Sequence, residues 1–265
     1  MSIIDITLLR KPKLFKTSRS LIAQLTLARS LLRGNVAHQY RAYLVTDDDQ
    51  RNQAKALHAQ AYRRKGFIYE HDLDDSGYIS HIADPHQLHA EYFVVREEGD
   101  HDQKVLVTVR QIMAHPNKGF DSFPILAQAH VEDEFQERLH QYNPTDIIEI
   151  SGLAKARGVP MAVTFLAYRA MWAYSKNHHH KIWLMALSPS LYGHLKRFVG
   201  PAIIQIGQPS EYTGEAVIPA MVDIARAEAD LAQSAASLRP DRRYVYRTIL
   251  QFFADDAPPV VQEKA

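Results

Sequence analysis

Cysteine is absent from this 265-residue chain. Its absence removes disulfide frameworks, thiolate nucleophiles and Cys-ligated zinc or iron–sulfur centres together. Long apolar runs are missing too, and none approaches the roughly 18–20 residues that a membrane-spanning helix needs. The N-terminus holds no continuous apolar segment of the signal-peptide kind: Gln24 and Thr26 interrupt residues 21–27, and no small-residue cleavage site follows. A cytoplasmic protein is expected. Net charge is also nearly absent, +1 from 31 basic and 30 acidic side chains. What remains is an ordinary globular composition, 46% apolar and 23% charged. At this length roughly three-quarters of the unfolded surface can be buried without cross-links.

The near-neutral total hides an asymmetry. Residues 1–46 carry eight basic side chains (Arg10, Lys11, Lys13, Lys16, Arg19, Arg29, Arg33, Arg41) and one acid, Asp5, so this arm is +7 and the rest of the chain −6. Within it Leu14, Ser18, Leu21, Leu25, Ala28 and Leu32 recur at helical spacing, and Gly34-Asn35 supplies a stop. A basic amphipathic helix suits three partners: an anionic membrane surface, an acidic protein such as an acyl carrier protein, or its own domain, onto which its leucines would pack. The first would make the protein peripheral to the inner membrane through residues 10–33. Nucleic acid is not expected, because the basic residues are not interleaved with aromatics and the remaining chain is acidic.

Beyond the arm, Asp47-Asp48-Asp49 reads as the N-cap of a helix reaching Lys65, with Gly66 as its C-cap. Residues 71–89 read as loop. Residues 91–96 and 104–113 form a strand hairpin, and a short helix is expected over 130–140. Residues 146–154 read as a third strand, with a bulge plausible at Gly152. Pro160 opens a helix running to Asn177. Residues 181–187 form a buried strand, Ser188-Pro189 caps a short helix ending at Gly200, and two last strands cover 202–206 and 216–223. Two C-terminal helices, 225–238 and 242–253, precede a tail without core pattern. The order predicts an α+β fold, a mixed central β-sheet flanked by helices. The chain divides into a basic arm (1–46), a main domain (47–223) and C-terminal helices with a tail (224–265).

Neither a Gly-x-Ser-x-Gly nucleophile elbow nor a Gly-x-x-x-x-Gly-Lys-Ser/Thr phosphate loop occurs. Fourteen histidines raise the question of a metal, but His178-His179-His180 point in different directions and His81, His86 and His89 have no ligand spacing, so no metal site is expected. The informative strip is Glu149-Ile150-Ser151. Alternate residues of a strand share a face, so Glu149 and Ser151 point together, with Leu153 beyond them. A carboxylate and a hydroxyl on an apolar strand are costly to bury unpartnered. They are either satisfied by hydrogen bonds or line a cleft.

Tyr92-Phe93-Val94-Val95, Val105 to Arg110 with the Phe123-Pro124 loop beyond, and Glu149-Ile150-Ser151-Gly152-Leu153-Ala154 resemble the GNAT-fold acyltransferases that take acyl chains from a carrier protein. The resemblance is to the acyl-homoserine-lactone (autoinducer) synthases and, closer, to the FeeM-like long-chain N-acyl amino acid synthases of bacteria. Lys196 to Gly200 and Gly214 to Asp223 match the ending of the second group. Residues 51–223 are covered. The departures are specific. The autoinducer synthases carry Asp-x-x-Asp where this chain has Asp84 and Gln87, and Arg where it has Gly152. The stretch Arg157-Gly158-Val159-Pro160-Met161-Ala162 lacks the glycines of a pyrophosphate loop. That omission suits a phosphopantetheine arm on a carrier protein better than free acyl-CoA, and no cofactor is otherwise implied. Leu195 stands where many GNAT enzymes place a tyrosine acid, with Tyr192 one turn earlier as its substitute.

The resemblance implies an enzyme that N-acylates a small amino acid or amine. Glu149 would be the base, its pKa raised by burial towards that of the amine. The backbone of Ser151, Gly152 and Leu153 would bind the oxyanion. Arg110, with Asp84 near the acceptor, would hold an acceptor carboxylate, or else pair with Asp146 or Glu149. Phe165, Met171 and Trp172 would line an acyl tunnel if they face inward, or serve as core. A homoserine-lactone synthase and a non-catalytic lipid-binding protein on the same fold are the alternatives.

Overall fold

The computed structural model describes residues 38–212, 215–237 and 240–254. The basic helix expected over residues 14–32 lies outside them. The fold is α+β, as its element order predicts. Among the described residues, eight strands form one mixed sheet in the order β1-β2-β3-β4-β5-β8-β6, with β7 paired to β8. They are β1 (Tyr40–Leu44), β2 (Ala90–Glu97), β3 (Val107–Met113), β4 (Ile147–Lys155), β5 (Ile182–Leu187), β6 (Ile203–Gln205), β7 (Ser210–Tyr212) and β8 (Glu215–Asp223). Among these strands only β4 and β5 run parallel; their other pairings are antiparallel. The edge strand β1 falls inside the stretch read as basic arm, and sequence reading did not detect it.

Helices cover both faces because alternate strand residues are apolar on both. Helix α1 (Asp48–Lys65) starts where the Asp47 side chain accepts from the Gln50 N–H at 2.8 Å and stops at Gly66, which adopts the left-handed conformation at φ +79°. Its buried Ala54 packs with Tyr92, Val94 and Val105 on one face. Helix α4 (Met161–Asn177) lies on the other, where Val163, Leu166, Ala167 and Met171 meet Phe93, Val95, Val107, Val109, Ile148 and Ile150. Short helices α2 (Pro124–Gln128) and α3 (Asp133–Leu139) bring Phe123, Ile125 and Leu139 against Ile147, Ile182 and Leu184. Helix α5 (Pro189–Val199) begins at Ser188, whose hydroxyl accepts from the Leu191 N–H. The C-terminal helices α6 (Ile224–Ser237) and α7 (Pro240–Ala254) bury Ala227, Leu231, Val245, Ile249 and Phe252 in the same core as α4. No described helix is long and apolar enough to cross a membrane.

One irregularity positions the site. Between Thr108 and Arg110 the pairing of β3 with β4 slips: Thr108 faces Ala154, but Arg110 faces Ser151. Two residues on β3 therefore span three on β4, a bulge at Gly152, whose φ of +63° a glycine adopts without strain. The extra residue reverses the alternation beyond it. Leu153 accordingly packs on the α4 side with Ile148 and Ile150 rather than following Glu149 and Ser151, contrary to the simple period-two expectation. The bulge also bends β4 away from β5. Their pairing ends at Ile150 with Met185, after which β4 holds only β3 and β5 holds only β8.

Candidate active site

The cleft opened by this splay, about 130 Å³ in volume, is walled by Glu149 to Leu153, by Met185 to Ser188, by Tyr62, Lys65 and Phe67 from the end of α1, and by Tyr168 of α4. Tyr92, Arg110 and Ser151 sit directly opposite one another on β2, β3 and β4, so their side chains share the α1 face. Glu149 is on that face two residues before Ser151.

Glu149 is 1% exposed, and one carboxylate oxygen accepts from the Ile125 N–H at 2.9 Å. Burial pushes its pKa up to about 8, against the opposing pull of that N–H and of Arg110. Arg110 pairs with neither Asp146 nor Glu149. Its Nη1 donates to Asp84, its Nη2 to the Ser151 hydroxyl at 3.4 Å, and the Tyr92 hydroxyl also accepts from it. Asp146 instead binds Lys181 at 2.7 Å. Burial opposes the Arg110 charge most strongly, but the Asp84 carboxylate together with Tyr92 and Tyr62 outweighs it and raises the pKa. The guanidinium fork is thus already occupied within the protein, which leaves Nε as its one buried nitrogen without a partner.

Two residues that sequence reading gave no role complete the arrangement. His58, buried on α1, stacks edge-on against Tyr62 at 4.1 Å between ring centroids. Burial, together with Arg110, drives its pKa down to about 3, so it is neutral, and its Nε2 has no partner. Tyr62 presents its hydroxyl oxygen to the Gly152 N–H. The spacing of His58 and Tyr62, one turn apart on a helix that also buries Ala54 and Ala61, was the signal available in the sequence.

Gly152 has no room for a side chain. A Cβ there would stand 3.1 Å from both Arg110 Cγ and His58 Cε1, on a backbone already at positive φ. Gly152→Ala is expected to lower stability by about 1–2 kcal/mol from the backbone alone. Thermal denaturation reads this as a fall of roughly 2–4 °C for each kcal/mol.

The remaining predicted residues fall in two places. Phe165 and Trp172 line a second, apolar cavity of about 70 Å³ enclosed by α4, β5, α5, β6, β8, α6 and α7. Tyr168 and Met185 are walls of both cavities, so the apolar one lies next to the cleft. Met171 is wholly buried in the core and lines neither; Leu195 lines the apolar cavity. Tyr192 lines neither cavity: it packs against the main core, and its neighbour Leu191 faces the cleft instead. Gln87 donates to the Ile79 carbonyl at 3.1 Å and takes no part in the site. Among the described residues, no three His, Asp or Glu side chains stand together as metal ligands.

No protein-family model matches this sequence, and no curated protein does. Solved structures match its fold. FeeM, an N-acyl amino acid synthase from uncultured soil microbes, superposes with a TM-score of 0.54 at 13% identity, over 72% of this chain and 94% of FeeM. BjaI, a CoA-dependent acyl-homoserine lactone synthase solved with SAM and isopentyl-CoA, superposes with a TM-score of 0.53 at 16% identity, over 80% of this chain and 99% of its own. The chain therefore has the GNAT-like fold of the N-acyl amino acid synthase and acyl-homoserine-lactone synthase structures.

Proposed function

We propose that this protein is an N-acyltransferase that moves a long-chain fatty acyl group from a phosphopantetheinylated acyl carrier protein to the α-amine of an amino acid. The observation that carries this reading is a buried carboxylate, raised to about 8, at the edge of a strand-splay cleft that shares two wall residues with an apolar cavity. An α-ammonium group has a pKa of about 8 in a peptide, and a higher one in a free amino acid. Raised to about 8, Glu149 comes within reach of such a proton, where an ordinary carboxylate would lose by several units. Glu149 takes the proton as the amine attacks the thioester. Backbone N–H groups of β4 beyond Ile150, where β5 no longer pairs, stabilise the oxyanion, except that of Gly152, which the Tyr62 oxygen takes. The acyl tail occupies the cavity lined by Phe165 and Trp172. Arg110, held by Asp84, fixes Ser151 and the field around Glu149.

Two features separate this reading from a homoserine-lactone synthase. Gln87 is turned away from the site, and arginine at position 152 would meet Arg110 and His58 from its first side-chain atom. The degenerate stretch 157–162 favours a carrier protein over free CoA. The test is mass spectrometry of lipid extracts from cells expressing the wild type beside cells expressing Glu149→Gln, followed by purified protein offered acyl-carrier and acyl-CoA donors. Fatty-acyl amino acids made only by the wild type, from the carrier-bound donor, are the expected result. Acyl-homoserine lactones would establish the autoinducer reading. Lipid bound by both proteins, with no product from either, would establish a binding protein.

A further inference from the structure

The cleft holds four hydroxyl side chains: Tyr62, Ser151, Tyr168 and Ser188. Ser151 accepts from Arg110, and Ser188 caps α5. Tyr168 is a wall shared with the apolar cavity, on the side of the acyl tail. Tyr62 remains, at the end of α1, facing the bulged strand. Its ring is clamped edge-on between His58 at 4.1 Å and Phe67 at 5.4 Å, so its hydroxyl is aimed rather than free to swing. The Gly152 N–H turned towards its oxygen leaves the hydroxyl proton free to point into the cleft.

We propose that Tyr62 is the acid of the reaction, donating its hydroxyl proton to the departing sulfur. This rests on the acyl-transfer reading above. With the tail beyond Tyr168 and the oxyanion on β4, the thioester carbon lies in the splay and its sulfur on the side of the α1 terminus. The neutral amine forms the C–N bond, and its surplus proton goes to the Glu149 carboxylate. The C–S bond then breaks, and the sulfur takes the Tyr62 proton to leave as a thiol. Solvent carries the proton from Glu149 back to the Tyr62 oxygen, which restores both groups. In water an alkyl thiolate (thiol pKa about 8.5) holds a proton less tightly than a phenolate (about 10). Burial raises the Tyr62 pKa and keeps it protonated throughout the range in which Glu149 titrates, while the nearby Arg110 charge and the Gly152 N–H pull the other way without outweighing it. The transfer to sulfur is therefore uphill, and it is drawn forward by the departure of the thiol. The role expected of Tyr192 thus falls to a tyrosine 130 positions earlier in the chain.

The experiment compares wild type and Tyr62→Phe on two donors carrying the same acyl chain, a pantetheine thioester and an aryl thioester, with a mixture of amino acids as acceptor. An aryl thiolate is a weak base and leaves without an acid. Tyr62→Phe is expected to slow the pantetheine thioester about 100-fold or more and the aryl thioester less than roughly threefold, since a positioned acid supplies 10²–10⁴. The ratio of the two rates within one sample is independent of how much variant is folded. An equal loss on both donors would overturn the proposal and make Tyr62 a packing residue. A wild type that acylates no amine from either donor would instead overturn the acyl-transfer reading, and this proposal with it.

Discussion

Glu149→Gln is expected to abolish turnover while leaving the protein folded and, at alkaline pH, more stable than the wild type. Loss of a positioned base costs 10²–10⁴ in rate. The glutamine keeps an oxygen for the Ile125 N–H, so the one hydrogen bond that the buried carboxylate makes survives. The stability effect follows from linkage. Glu149 has a folded pKa of about 8 against an ordinary 4.5, so between those values the folded state binds the proton and the unfolded state does not. Stability from this group is therefore complete below about pH 4.5 and is lost as pH rises through 8. Above that point the wild type buries a charge and glutamine does not. Thermal denaturation at pH 6 and pH 9 should show the variant gaining on the wild type at the higher value, by roughly 2–4 °C for each kcal/mol. Wild-type kcat/KM should rise with pH along a limb centred near 8. A variant with normal turnover, or a limb centred near 4.5, would remove Glu149 from the mechanism.

Local chemistry made most of the fold legible. Asp47 and Gly66 bracket α1, Pro160 precedes α4 and Ser188 caps α5, and each acts through a bond within three or four residues. β1 escaped because its five residues include Arg41 and follow a run of basic residues, so its neighbourhood carries the composition of an arm rather than of a strand. What local pattern could not supply was anything set across long separations. Glu149 and Ser151 share a face by strand periodicity alone, but the partner of Arg110 stands 26 positions away, in a loop. Resemblance placed Asp84 near the acceptor; only the fold showed it clasping Arg110. A bulge at Gly152 was foreseen, yet its consequence for Leu153 depends on which neighbour strand holds register, which no single strand records. His58 and Tyr62 were missed because a histidine and a tyrosine on an amphipathic helix look like core until the strand they cover is known to carry the site.

Asp84→Ala is expected to be the most damaging single truncation near the site, on stability and on the pH profile together. The Asp84 and Arg110 side chains are 13% and 7% exposed, so the change strands a buried guanidinium charge. Removing one partner of a buried pair costs about 3–5 kcal/mol, while replacing both by apolar groups is often nearly neutral. Against a total stability of about 5–15 kcal/mol, the single loss puts Tm about 10 °C lower. Asp84→Ala combined with Arg110→Met should recover a large share of it, and a double-mutant cycle measures the coupling. The catalytic signature has a defined sign. Asp84 raises the pKa of Glu149 and Arg110 lowers it, so an uncompensated Arg110 draws the Glu149 limb below 8. The double variant, which removes the charge that lowers it, moves the limb the other way relative to the single one. A free Asp84 with no bearing on Arg110 would give a mild, additive loss and an unmoved limb. Limbs moving in opposite directions would establish that the pair sets the proton affinity of Glu149, and hence the pH at which this cleft can take a proton from an amine.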